Sequence, residues 1–216
     1  MWLGLGFAGS CRDLTEGSSG MRVFVKPEGS GVGGNRVNPL WVLESERLRF
    51  RPHVAADLDA FCAMEMDPEV RRYVGGVPRT REAAEERFWS RAMHPVEDRL
   101  AMWATVLKSE DRYVGRCGLY PHLSDGARVA GEAVLGFYLA REFWGRGLAS
   151  EAGCAFLDFG FGELKLERIV TAVEVGNAAS VRVLEKLGFQ LSYLEQGPRS
   201  FYHFELLKSV ARVIPG

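Results

Sequence analysis

With 216 residues, 47% of them hydrophobic and 25% charged, the chain has the make-up of one soluble globular domain with a sizeable core. A formal net charge of −1 argues against a broad nucleic-acid-binding or acidic-membrane surface. The scattered cysteines (Cys11, Cys62, Cys117, Cys154) and isolated histidines (His53, His94, His122, His203) lack metal-ligand spacing, so reduced thiols and no metal site are expected.

Residues 1–42 carry glycine and serine clusters at 16–20 and 28–34 without sustained periodicity. Such a segment cannot bury enough surface to repay its ordering entropy and is expected to be disordered, with Met21 as an alternative start. The apolar opening, Met1 to Ala8, lacks a positive leading region, and no apolar run approaches the roughly 20 residues of a membrane span. A cytoplasmic protein with no membrane partner is expected.

The expected domain covers residues 43–212, with a short tail at 213–216. Arg47–Arg51 alternates charged and apolar residues as a half-exposed strand does. Helices are expected over Asp57–Met66 and from the N-cap Thr80 to about Met93. Strands follow at Ala101–Leu107 and Tyr113–Tyr120, then a loop from Pro121 to Gly131. Ala133–Leu139 reads as a largely buried strand and Ala140–Phe143 as a connection. A helix is expected from Ala149 to about Phe161, a strand at Arg168–Val173, and a final hairpin from Phe189–Leu194 and Ser200–Leu207. This order gives an α+β fold built on a mixed sheet.

Two stretches carry chemistry. Trp144-Gly145-Arg146-Gly147-Leu148-Ala149 is a glycine-rich turn that opens a helix, where unpaired N–H groups at the positive end of the helix dipole hold phosphate without any particular side chain. Asn177-Ala-Ala-Ser180-Val-Arg-Val-Leu184-Glu-Lys-Leu-Gly188-Phe189 is a short helix with an N-cap asparagine and a glycine stop. No G-x-G-x-x-G follows an early strand, which disfavours dinucleotide binding.

Together these stretches resemble the GNAT superfamily of N-acetyltransferases, with a closer likeness to the ribosomal-protein N-terminal acetyltransferase branch. Three further segments fit in order: Glu46-Arg-Leu-Arg-Phe-Arg-Pro52, Asp67-Pro-Glu-Val-Arg-Arg-Tyr73 and Tyr113-Val-Gly-Arg-Cys-Gly-Leu119. The resemblance implies a mostly antiparallel sheet splayed in the middle, with helices on both faces. It also implies acetyl-CoA as co-substrate and a primary amine as acceptor, either a protein N-terminus or a small-molecule amine, and it leaves a homodimer open. Pantetheine would run along the backbone at Phe137, Tyr138 and Leu139. The diphosphate would sit on N–H groups from Gly145 to Ala149, within the stretch Trp144, Gly145, Arg146, Gly147, Leu148 and Ala149, with Asn177 and Ser180 as further cofactor contacts.

By the same resemblance Ser180 protonates the departing thiolate, because Leu184 stands where many superfamily members carry a tyrosine; a packed hydroxyl bonded to the preceding turn is the alternative. Glu132 is the candidate general base, with Glu174 as rival; the branch often has a glutamate where Val134 stands here. Trp103 and Tyr120 are candidates for the acceptor pocket, with core packing as the alternative for each. A non-catalytic acyl-CoA-binding sensor is the competing reading.

Overall fold

The computed structural model describes residues 24–25, 41–93 and 99–211. Its strands are β1 (Phe24–Val25), β2 (Trp41–Glu44), β3 (Leu48–Arg51), β4 (Met102–Leu107), β5 (Arg112–Ser124), β6 (Ala127–Leu139), β7 (Arg168–Glu174), β8 (Gln190–Glu195) and β9 (Phe201–Leu207). They form one sheet in the order β1-β2-β3-β4-β5-β6-β7-β9-β8. Neighbours are antiparallel except β6 and β7, which run parallel. The mixed, mostly antiparallel sheet expected from the sequence is therefore present. The disorder expected for residues 1–42 falls almost wholly outside the described residues; within that stretch the backbones of Phe24 and Val25 pair with Val42 and Trp41.

Helices cover both faces. On one side α4 (Leu148–Asp158) and α5 (Ala178–Lys186) bury Phe156, Leu157, Leu184 and Leu187 against Cys117, Leu119, Leu135 and Ile169 of the sheet. On the other, α1 (Leu58–Met66), α2 (Pro68–Arg71) and α3 (Arg81–Arg87) lie over a smaller cluster of Phe61, Cys62, Ala84 and Phe88. Side chains alternate along a strand, so Cys117, Leu119 and Leu135 face α4 while Arg116, Tyr120 and Tyr138 face the α1 side. A final short helix, α6 (Lys208–Ala211), follows β9.

Several boundaries follow local chemistry. Thr80 caps α3 by accepting from the Ala83 amide, and Asp67 caps α2 by accepting from Glu69. Gly188, at φ 84°, stops α5 in the left-handed region, and the Phe189 amide donates back to Leu184. Both α3 and α4 run on into a π-helical turn, Phe88–Ala92 and Phe159–Glu163.

The loop expected over Pro121–Gly131 is instead the end of a long β5–β6 hairpin. Its two-residue turn, Asp125-Gly126, adopts φ 52° and 77°, the conformation that matches strand twist. A second correction concerns the thiols. Cys62 and Cys117 are free and buried, but Cys154 on α4 is disulfide-bonded, a pairing that four scattered cysteines do not announce by their spacing.

Candidate active site

β6 and β7 pair only between Glu132–Val134 and Arg168–Val170, although both strands run on, to Leu139 and Glu174. Beyond Val134 they part. The Ala140 amide bonds to the Val114 carbonyl on β5, which fixes the alternation along β6. The main-chain groups of Gly136 and Tyr138 face β5, whereas those of Phe137 and Leu139 face the gap. The β6 edge thus offers an extended ligand a row of free donors and acceptors. One is already taken: the Trp144 indole N–H donates to the Leu139 carbonyl at 2.7 Å. Tyr138 has its main chain on β5 and its ring against the Arg116 guanidinium, 4.9 Å from the centroid.

At the end of that edge the chain turns into α4. Gly145 and Gly147 hold φ 74° and 76°, values open to glycine and strained for other residues. Gly147 is the N-cap of α4 and supplies no side chain to it. The amides of Leu148, Ala149 and Ser150 therefore begin the helix without a capping oxygen, at the positive end of its dipole. Gly145, Arg146 and Gly147 are exposed, and a Cβ added at Gly145 would meet nothing within 4 Å. The arrangement is an open, donor-rich cradle of the kind that takes phosphate.

The cradle is braced from below by contacts that the sequence does not announce. Glu151, in the first turn of α4 and buried, accepts from Ser45 Oγ, the Arg47 amide and Arg47 Nε, each at 2.7 Å. Arg47 Nη1 in turn donates to the Arg146 carbonyl at 3.0 Å. One ion pair therefore ties the strand that opens the domain to the glycine turn. Arg146 itself is a solvated cation lying 5.2 Å over the Phe143 ring.

A second helix start lies across the gap. Asn177 caps α5, its Oδ1 accepting from the Ser180 amide at 3.2 Å. The half-buried Ser180 hydroxyl makes no hydrogen bond among the described residues, so it is not spent on the preceding turn. Leu184 is fully packed in the core.

A family model described as the acetyltransferase (GNAT) domain matches residues 47–190. The chain belongs to that family. Among GNAT relatives, the uncharacterised N-acetyltransferase p20 of Bacillus licheniformis is 33% identical over 150 residues, 68% of this chain and 82% of that protein. A GNAT-family acetyltransferase structure from Bacillus anthracis has a TM-score of 0.68 at 23% identity, covering 78% of this chain and 99% of that one. Spermidine N-acetyltransferase from Vibrio cholerae, in complex with CoA and spermine, has a TM-score of 0.63 at 19% identity, covering 78% and 99%. At those identities the two structures speak to the fold alone.

The GNAT sheet places the candidate carboxylates in ion pairs. Glu132 receives Arg168 Nε and Nη2 at 2.9 and 2.8 Å and sits 2.7 Å from His122 Nδ1. Burial pushes its pKa up, but the hydrogen bonds from Arg168 and His122 outweigh this and hold it below the ordinary glutamate value. Glu174 is gripped by both Nε and Nη2 of Arg199, whose hydrogen bonds also lower its pKa. His122 was not a sequence candidate; its contact with Glu132 exists only because β5 and β6 stay together past Pro121.

Of the two aromatic candidates, Trp103 is buried on the α4 side against Phe156 and Phe159 and belongs to the core. Tyr120 is half-buried on the α1 side and covers Gly136, and burial raises its hydroxyl to about 12. Among the described residues no group of three or more His, Cys, Asp or Glu could hold a metal. No helix among them is long and apolar enough to cross a membrane.

Proposed function

We propose that this GNAT protein transfers acetyl from acetyl-CoA to a primary amine by direct attack on the thioester, in the cytoplasm. One observation carries the reading: an uncapped helix start behind two left-handed glycines stands at the end of a strand edge that leaves the Phe137 main chain and the Leu139 amide open to the gap. The cradle from Gly145 to Ala149 receives the diphosphate, and the β6 edge at Phe137 and Leu139 receives the pantetheine amides. Tyr138, whose main chain is turned to β5, contributes its ring from the α1 side. Trp144 organises the corner through Leu139, and Asn177 and Ser180 face the cofactor from α5.

In this scheme the amine nitrogen attacks the acetyl carbonyl carbon, the C–S bond breaks, and two protons must move. Ser180 gives its hydroxyl proton to the departing sulfur and recovers one from solvent. The amine's proton leaves toward the His122–Glu132 pair. Glu132, held by Arg168, accepts from Nδ1–H and leaves Nε2 as the lone pair. Glu132 acts here through His122 rather than alone.

A non-catalytic acyl-CoA sensor is the second reading, favoured by the engagement of Glu132 and Glu174 with arginines and by the packed Leu184. Release of free CoA from acetyl-CoA, measured across a panel of primary amines, decides between them. Turnover on at least one amine supports the transferase. Cofactor binding with no turnover on any amine supports the sensor.

A further inference from the structure

Beneath α1 the chain gathers more positive charge than it neutralises. Glu65, 2% exposed, accepts from Arg116 Nη2 at 2.5 Å, Arg79 Nε at 2.9 Å and Arg71 Nη1 at 3.3 Å. One carboxylate thus faces three guanidiniums, a surplus of two positive charges in a region largely closed to water. Arg116 and Arg71 are each 6% exposed. Burial lowers the Arg87 pKa, and the nearby Arg116 and Arg79 lower it further against the opposing pull of Glu65.

The buried polar groups there are also under-used. The Nε atoms of Arg116 and Arg87, the Tyr113 hydroxyl and both ring nitrogens of His53 are buried and have no partner among the described residues. Burial, reinforced by Arg116 and Arg51, drives His53 down to about 4 and keeps it neutral. Buried like charges and orphaned donors are costly unless a counter-charge completes them. The complement to this cluster is an anion with several acceptor oxygens.

Its place in the fold links it to the acceptor. Arg116 pairs in register with Tyr138, between the two residues whose main chains face the gap, and its guanidinium is stacked between the Tyr138 and Phe61 rings. The half-exposed Arg79 leads out of the cluster into the α2–α3 loop. That loop reaches the far side of the gap: Tyr73 adjoins Gly176, and Gly76 adjoins Arg199. At this rim Arg72 pairs with Glu69 and Arg199 with Glu174, so the charge surplus lies inside.

We infer that Arg71, Arg79 and Arg116 around Glu65 form the recognition site for an anionic group, a carboxylate or phosphate, carried by the acceptor. The acceptors are then amines bearing a negative charge rather than polyamines. This inference rests on the acetyl-transfer reading for the word acceptor, but the anion site can be tested without turnover.

Full-length protein is assayed on matched amines differing in charge, γ-aminobutyrate against its amide, with spermidine as the cationic arm. In parallel, melting temperature is followed with sodium sulfate against sodium chloride at equal ionic strength. The carboxylated amine is expected to exceed its amide at least tenfold in kcat/KM. Arg79→Gln should bring the two within about twofold by raising KM while kcat and CoA affinity hold, and Arg79→Lys should recover part of the preference. Sulfate should stabilise the wild type saturably, compete with γ-aminobutyrate and lose its saturable effect in Arg79→Gln. Equal or better use of the amide or spermidine overturns the proposal, as does saturable sulfate binding that leaves γ-aminobutyrate turnover untouched, which would mark a site for free anions only. Should no amine turn over, the transferase reading fails on its own. The anion site then stands if the saturable sulfate effect is lost in Arg79→Gln, and falls if there is no such effect.

Discussion

Glu151→Gln isolates the brace under the phosphate cradle. Glutamine keeps the size and one acceptor oxygen, so Ser45 and the Arg47 amide retain a partner, but its amide N–H₂ is presented to Arg47 Nε, which is also a donor. The substitution removes one charge-assisted hydrogen bond and weakens two others at a residue only 8% exposed. Hydrogen bonds to charged groups contribute about 1.5–3 kcal/mol each and neutral ones about 1. Arg47 is itself 43% exposed, so water recovers part of its loss. A net cost of about 2–3 kcal/mol follows, or about 4–12 °C in melting temperature for a domain of this size.

The same change releases the Arg47 guanidinium that holds the Arg146 carbonyl, so the glycine turn loses its anchor. CoA affinity is expected to fall about tenfold, the equivalent of about 1.4 kcal/mol. Scanning calorimetry and a CoA titration on wild type and variant check both effects. A melting temperature within 1 °C of wild type (about a quarter of the smallest expected shift) together with unchanged CoA affinity would refute the reasoning.

Ser180→Ala should lower kcat more than it weakens CoA binding, because the hydroxyl holds no structural hydrogen bond; equal turnover, read by free-thiol release, would reduce Ser180 to a packing residue. Gly118→Ala should destabilise by about 3 kcal/mol or more, since the new Cβ would lie 1.9 Å from the carbonyl oxygen of Ala101, the residue just before β4. A denaturation midpoint equal to wild type would contradict the β4–β5 packing. The depressed pKa of Glu132 makes its charge stabilising above the ordinary glutamate value of about 4.3. That contribution is lost as pH falls through the lower folded value. The melting-temperature gap between wild type and Glu132→Gln should therefore be level near neutrality and close on acidification below about pH 4. A gap that widens on acidification would show that the pair with Arg168 has been misread.

What the sequence made legible was mostly local. The strand before Trp144, the left-handed glycines at 145 and 147, the Asn177 cap and the Gly188 stop are written in adjacent residues, and each is where the spacing expects it. One local signal was passed over: Asp125-Gly126 is a strong hairpin turn, and reading it as loop hid the long β5–β6 ladder. The rest depends on distant partners. Arg47 and Glu151 are 104 positions apart and Arg116 and Glu65 are 51, so no window along the chain shows that they meet. The same holds for Glu132. Its sequence position suggests a free carboxylate at the start of a strand, and only the parallel register with β7 reveals that Arg168 occupies it.

Calorimetric titration of acetyl-CoA into wild type and into Gly147→Glu tests the central claim most directly. The claim is that main-chain amides at the start of α4 bind the diphosphate. The variant puts a side chain and a negative charge where φ is 76° and phosphate docks, near Arg47 but against no core atom. The account predicts measurable heat of binding for wild type, no binding for the variant, and a variant that still unfolds cooperatively. Wild-type protein that gives no heat of binding, or a variant that binds acetyl-CoA as tightly as wild type, would contradict it.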